Sequence, residues 1–147
     1  ETTLGGRYAR LIQQQGYDPE FFRPRPVESE GEWLTQRVAT THDIHHVVSG
    51  FSTRREGESG VLAIPASQIG FPAYVLLNLL ASFKSVRFQP AELEAISCGI
   101  AHGNRIGLEA APLVVQKWEE GWDKPLNEWR QELGVRIPES KIISASY

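Results

Sequence analysis

Three of the chain's four histidines lie within five residues, in Thr41-His42-Asp43-Ile44-His45-His46, and Glu58 follows twelve positions after His46. On a helix, His42 and His46 stand one turn apart on one face, and Asp43 can lean towards the same spot from three positions before His46. Glu58 reaches them only if the chain ends that helix, turns and starts another, so the pattern asks for an αα-hairpin. Two imidazoles with one or two carboxylates are the donor set that Zn²⁺ or a similar divalent ion takes. His-x-x-x-His pairs are also common on solvated helix faces. On spacing alone a metal site and a polar surface stand as level alternatives.

The remaining sequence supplies a helical frame. Leu4 to Gln15 reads as a helix with Tyr8, Leu11 and Ile12 on one stripe and Gly16 as its stop. Pro19, Pro24 and Pro26 make Asp18 to Glu30 a loop, in which Phe21-Phe22 are expected to tuck into the core and Arg23 and Arg25 to be solvated. Ser29 followed by Glu32 has capping-box spacing and opens a long helix to about Gly50. Phe51 to Glu56 is a short connection. Glu58 then introduces a helix over Gly60–Gln68, in which Pro65 predicts a kink.

Pro72 suits the first turn of a helix over Ala73–Phe83. That helix is apolar nearly all round, with Asn78 the main exception. It is either central to the core, the wall of an apolar ligand or dimer surface, or an interfacial membrane helix. Gln89-Pro90 starts another helix, with Leu93, Ile96 and Ile100 in step and Gly99, Gly103 and Gly107 open to a close neighbour. Ala110 to Trp122 reads as helical, with Pro112 in its first turn. A last helix after Pro125 carries Leu126, Trp129 and Leu133 on one face and ends at Gly134. Val135 to Tyr147 is a tail. No strand alternation is sustained. The fold expected is all-α, one domain over residues 1–147, with about six or seven helices.

Composition narrows the function. Apolar residues make up 41% and charged residues 22% of 147 residues, an ordinary globular balance. The net charge of −3 gives no general attraction to nucleic acid. Cys98 alone cannot form an intrachain disulfide, fits a reducing compartment, and reads as a small buried helix residue. No segment has the roughly 20 apolar residues of a membrane span. The chain has no methionine, so Glu1 is expected not to be the native start and N-terminal residues to be missing.

Two known catalytic patterns fail. The zincin motif needs glutamate after its first histidine, and Asp43 is one methylene shorter. The His-Asp doublet of phosphohydrolases needs a histidine well upstream, and none precedes His42. Cys98 lacks an evident activating neighbour, and His102 reads as structural. His45 is a candidate proton carrier, with solvent exposure the alternative.

At His42-Asp43-x-x-His46 followed after eleven residues by Glu58, the sequence resembles the Coq-four family of ubiquinone (coenzyme Q) biosynthesis, whose signature is His-Asp-x-x-His-x₁₁-Glu. All four positions match. Leu4-Gly5-Gly6-Arg7-Tyr8-Ala9 is similar to the family's early helix, and Gln36-Arg37 precedes the motif as in relatives. Trp118-Glu119-Glu120-x-Trp122-x-x-Pro125-Leu126 and Glu132-Leu133-Gly134 look like its C-terminal block. Relatives carry more residues at the N-terminus, and their helix is unbroken where Pro65 stands.

The resemblance implies an all-α bundle with an apolar cavity and a divalent ion, zinc with magnesium as alternative, on His42, Asp43, His46 and Glu58. It implies a polyprenylated quinone precursor as ligand, peripheral membrane association and self-association as a homodimer. In eukaryotes it implies a place in a quinone-synthesis complex on the matrix face of the mitochondrial inner membrane; in bacteria the cytoplasmic side is expected. Two roles follow: organising that complex, or oxidative decarboxylation of a 4-hydroxy-3-methoxy-5-polyprenylbenzoate ring, carboxyl to hydroxyl. A metal-dependent hydrolase remains a third reading. Tyr74, Leu76, Leu77 and Leu80 are the candidate wall for the isoprenoid tail. No catalytic residue is assigned.

Overall fold

The computed structural model describes residues 2–18, 23, 25–137, 139 and 144–145. Phe21-Phe22, for which core packing is expected, lie outside the described residues. Among those described there are six α-helices, α1 Leu4–Gln15, α2 Glu30–Ser49, α3 Arg55–Ile69, α4 Pro72–Phe88, α5 Leu93–Glu109 and α6 Leu126–Leu133. There is no named β-strand among them, and the fold is all-α as expected.

The helix ends follow their local chemistry. Thr3 caps α1 by accepting from Gly6 N–H at 3.2 Å. Ser29 caps α2 by accepting from Glu32 N–H at 3.2 Å, and the Glu32 carboxylate reaches back to Glu28 N–H at 2.8 Å. That is the expected capping box with its return bond shifted one residue outward. Gly50 closes α2 at φ 78, a left-handed turn that brings the chain round into the second arm of the hairpin.

The second arm starts earlier than Gly60. Arg54 is extended and its carbonyl accepts from Glu58 N–H at 2.8 Å, so the first turn of α3 already contains Glu56 and Glu58. Pro65 does not interrupt the element; α3 runs through it to Ile69. The proline removes one backbone donor, but burial of the surrounding face holds the helix together.

α3 and α5 pack along their backbones. A Cβ at Gly99 would stand 2.1 Å from Glu56 O, one at Gly103 2.1 Å from Gly60 O, and one at Gly107 2.8 Å from Ile64 O. The glycine spacing read from the sequence thus marks a true helix–helix seam. Leu4, Leu11, Ile44, Val47, Val48, Phe51, Val61, Ile64, Ile106, Leu113, Trp118, Leu126, Trp129, Leu133 and Val135 form one buried cluster drawn from both ends of the chain.

Two expectations need correction. Ala110 to Trp122 is not a helix; only a 3-10 turn over Trp118–Glu120 is regular. The backbone groups a helix would use are already engaged from elsewhere. Ala111 N–H donates to Leu133 O at 2.8 Å, and the Gln68 side chain donates to Ala111 O at 3.0 Å and accepts from Leu113 N–H at 2.9 Å. Arg37 then straps the loop to α2 through Val114 O at 3.2 Å, Gln116 O and the Glu119 carboxylate.

The second correction concerns α4, for which a central core position was one reading. Two of its uncharged polar residues face inward, while Lys84, Arg87 and most of its large apolar residues face outward. Asn78 and Ser85 are its buried members, whereas Leu76 is 56% exposed, Leu79 63%, Leu80 53% and Phe83 68%. The helix covers α3 and leaves a broad apolar stripe bare.

Candidate metal centre

α2 presents His42 and His46 from successive turns, and the Gly50 turn carries the chain back so that α3 delivers Glu58 between them. His42 Nε2 lies 3.0 Å from Glu58 Oε2, His46 Nε2 lies 3.2 Å from Glu58 Oε1, and the two Nε2 atoms are 3.2 Å apart. The His46 side chain is fully buried; those of His42 and Glu58 are partly open.

Hydrogen bonding fixes the tautomer of one imidazole. His46 Nδ1 lies 3.3 Å from Phe51 O. A carbonyl only accepts, so Nδ1 carries a proton and Nε2 is the ring nitrogen turned to the cluster. A backbone carbonyl behind a ligating histidine is the usual outer support of a metal site. The Glu58 carboxyl is held down to about 2: burial, its strongest single influence, favours the neutral acid, but the bonds from His42 and His46 and their charges together outweigh it. Two imidazole nitrogens and an ionised carboxylate thus converge. One ligand atom from each of the three residues falls within 4.8 Å of the others, a donor set that fits a divalent ion.

Asp43 is not part of this group. Successive residues on a helix diverge by about 100°, and the Asp43 charge is felt by two phenols. Burial first, then the Asp43 charge, raises the Tyr8 pKa, and burial with the Glu58 and Asp43 charges raises that of Tyr17. Tyr74 is raised likewise by burial and by Glu58. The three phenols are therefore held in their protonated form.

His45 is neither solvent-facing nor placed as a proton carrier. It is 1% exposed, packs edge-on to Trp118 at 6.4 Å between ring centroids, and burial first, with the charges of His42 and His46, lowers its pKa to about 3. Cys98 is half-buried and lies 3.6 Å from His102 Nδ1, which donates to Cys98 O at 3.0 Å. His102 is structural, as expected.

On its far side Glu58 borders a cavity of about 340 Å³ between α3, α4 and α5, walled chiefly by Leu62, Leu77, Asn78, Ala81 and Ile96, with Lys84 at its margin. Of the four residues expected to line a tail site, Leu77 forms part of this wall. Tyr74 stacks edge-on with Phe71 at 4.9 Å, and Leu76 and Leu80 lie on the exposed stripe. Sequence reading overlooked Asn78 and the Phe51 carbonyl. The only signal for Asn78 was its polarity in an apolar run; for a backbone carbonyl there was none.

Comparison with known proteins is consistent with this geometry. Residues 1–139 match the model of the family described as "Coenzyme Q (ubiquinone) biosynthesis protein Coq4". The chain is 31% identical over 141 residues to the mitochondrial ubiquinone biosynthesis protein COQ4 of Eremothecium gossypii, covering 92% of this chain and 42% of that one. It is 31% identical over 143 residues to the COQ4 protein of Lodderomyces elongisporus, covering 94% and 37%. A crystal structure from Nostoc punctiforme, described as a candidate ubiquinone biosynthesis protein, superposes with a TM-score of 0.81 at 34% identity, covering 92% of this chain and 64% of that one. The chain spans about two fifths of the length of the curated relatives it matches.

Proposed function

The chain belongs to the Coq4 family of coenzyme Q (ubiquinone) biosynthesis proteins, and from that premise we propose that it binds a divalent ion and, beside it, a polyprenylated aromatic precursor of a quinone. The observation that carries this reading is the His46 Nε2 atom, its ring held from behind by Phe51 O, converging with His42 and Glu58 at the edge of an apolar cavity. His42, His46 and Glu58 would hold the ion, zinc in our reading and magnesium as the alternative; Asp43, outside that group in this structure, would join as a fourth donor by turning its side chain. When bound, the ion would supply a positive centre that attracts a ring carboxylate and stabilises developing negative charge.

The chain's own residues divide the remaining work. Leu62, Leu77 and Ile96 exclude water from the ring, and Glu58, kept ionised by its imidazole partners, joins the ion-holding group to the cavity. Tyr8, Tyr17 and Tyr74 stay protonated and are available as hydrogen-bond donors. The reaction class is replacement of the ring carboxyl by a hydroxyl, a two-electron oxidation in which the carboxyl leaves as carbon dioxide, water supplies the hydroxyl, and dioxygen takes the two electrons and leaves as hydrogen peroxide. Zinc has no second oxidation state to offer, so electrons would pass from the electron-rich phenolate ring itself.

A second reading is a non-catalytic prenyl-lipid-binding scaffold for a quinone-synthesis complex. It is favoured by the bare apolar stripe of α4, which suits a homodimer contact or the surface of a membrane. No helix among the described residues is long and apolar enough to cross a membrane. The location proposed, on the family resemblance and the bare stripe of α4, is peripheral: the cytoplasmic side in a bacterium, or the matrix side of the mitochondrial inner membrane in a eukaryote.

The test is elemental analysis of wild type and His46→Ala, paired with turnover of a short-chain prenyl-hydroxybenzoate. Stoichiometric metal and turnover, both lost in the variant, are expected. Metal without turnover in wild type selects the scaffold. No metal after loading overturns the site.

A further inference from the structure

Asn78 occupies a position that the packing of α4 alone would give to leucine. It sits between Leu77 and Leu79, lines the α3/α4/α5 cavity with Leu62, Ala81 and Ile96, and is only 7% exposed. Its Nδ2 donates to Ser59 O on α3 at 3.1 Å. That bond fixes the sense of the amide, because a carbonyl cannot donate to the oxygen end. The Oδ1 atom is left buried with no hydrogen-bond partner among the described residues. Burying an acceptor without a donor is unfavourable, and the unpaired atom belongs to a side chain in the wall of a cavity.

The position makes sense if the molecule that fills the cavity brings the donor. Polar residues such as Ser59 and Ser85 also border the cavity, but most of its wall surface is apolar, so the body of that molecule is apolar. Arg55 and Lys84 border the same space, but so do Glu58 and Glu92, so the wall's charges balance and suit a neutral donor, for which a hydroxyl is the group we take. A volume of about 340 Å³ is at the small end for ligand sites, enough for one aromatic ring and the first part of a chain. Leu77, which is both in the wall and 47% exposed, marks where a longer chain would leave towards the bare stripe of α4.

We propose that Asn78 is the specificity-determining residue of this cavity, its Oδ1 accepting a hydrogen bond from the ring hydroxyl of the bound precursor; the inference rests on the reading of the cavity as a site for a prenylated phenolic ring. It makes the protein choose a free phenol over the same ring with that hydroxyl removed or methylated. Nothing in the sequence motif His42-Asp43-x-x-His46…Glu58 supplies that choice.

The experiment is calorimetric binding of geranyl-4-hydroxybenzoate, its 4-O-methyl ether and the 4-deoxy analogue to wild type, Asn78→Leu and Asn78→Ala, with thermal unfolding of each protein. Wild type is expected to favour the free phenol by about tenfold, the worth of one net hydrogen bond. Asn78→Leu is expected to unfold no earlier than wild type and to bind all three rings alike. Asn78→Ala gives the same binding readout should the leucine disturb the helix. A preference that survives in a folded variant, or equal binding of the three rings by wild type, overturns the role of Asn78 and leaves the precursor reading standing. Failure of wild type to bind any of the three overturns both.

Discussion

Gly60 of α3 lies flush under the ring of Phe51: a Cβ at position 60 would stand 2.7 Å from both Cε1 and Cζ. Phe51 is fully buried, and its carbonyl receives the Nδ1–H of His46. The seat of one aromatic ring on a glycine therefore sets the orientation of a proposed metal ligand. Gly60→Ala is expected to destabilise the fold by about 2 kcal/mol through overpacking and to weaken metal binding as Phe51 shifts. Gly31→Ala is the control, since a Cβ there meets nothing within 4 Å and only helix propensity changes. Urea unfolding and a metal titration of the two variants make the comparison. Equal behaviour would detach Phe51 from the site.

The seam between α3 and α5 leads to a second expectation. Gly103 cannot gain a methyl group without pushing on the Gly60 carbonyl and on Ala63 Cβ, which would lie 2.1 and 2.8 Å away. Backbone does not yield as a flexible side-chain end would. Gly103→Ala is expected to cost about 2–3 kcal/mol despite alanine's better helix propensity, with a lower midpoint in thermal or urea unfolding. A neutral result would show that the helices pack further apart.

Arg37 and Glu119 supply a pH-dependent contact between α2 and the loop that follows α5. The guanidinium meets Glu119 at 3.1 and 2.9 Å, and this bond, ahead of smaller influences, lowers the Glu119 pKa. A carboxylate depressed in the folded state contributes fully above its ordinary value near 4.5, and the contribution is lost as pH falls through the lowered folded value. Glu119→Gln is therefore expected to be slightly less stable than wild type at pH 7, with the gap closing in acid. Because Glu119 is well exposed, the gap is small. Arg37→Gln is expected to do more harm, since the carbonyls of Val114 and Gln116 lose their donor as well. Urea unfolding across this pH range separates the two variants.

The elements whose ends are set by local chemistry were legible in the sequence. Ser29 with Glu32, Gly16, Gly50 and Gly134 mark boundaries that need no knowledge of the rest of the chain. His42, His46 and Glu58 were legible because helical spacing and one glycine turn bring them together. What escaped was decided by distant partners. Ala110 to Trp122 has helical composition, but Gln68 and Leu133 take its backbone groups, and they lie on other elements. His45 and His46 are adjacent, and only the packing of Trp118 and the Phe51 carbonyl assigns one to the core and the other to the site. The facing of α4 was hidden because a stripe of leucine and phenylalanine looks the same from sequence whether it is covered or bare.

That bare stripe can be separated from the fold that carries it. Leu76 and Leu80 are each more than half exposed, so Leu76→Ser with Leu80→Ser removes little buried area. Stability is expected to change by less than about 0.5 kcal/mol for each substitution. If the stripe meets a second copy, the double variant elutes as a smaller species in size-exclusion chromatography with light scattering. If it meets a membrane, wild type co-sediments with anionic vesicles through the apolar stripe and the neighbouring Lys84 and Arg87, and the double variant stays in solution. The two outcomes differ in what restores them. Raising protein concentration recovers a weakened dimer by mass action but does not recover vesicle binding. A double variant that is unchanged in both assays would leave α4 as a cover for the cavity alone, with Leu77 and Asn78 as its working residues.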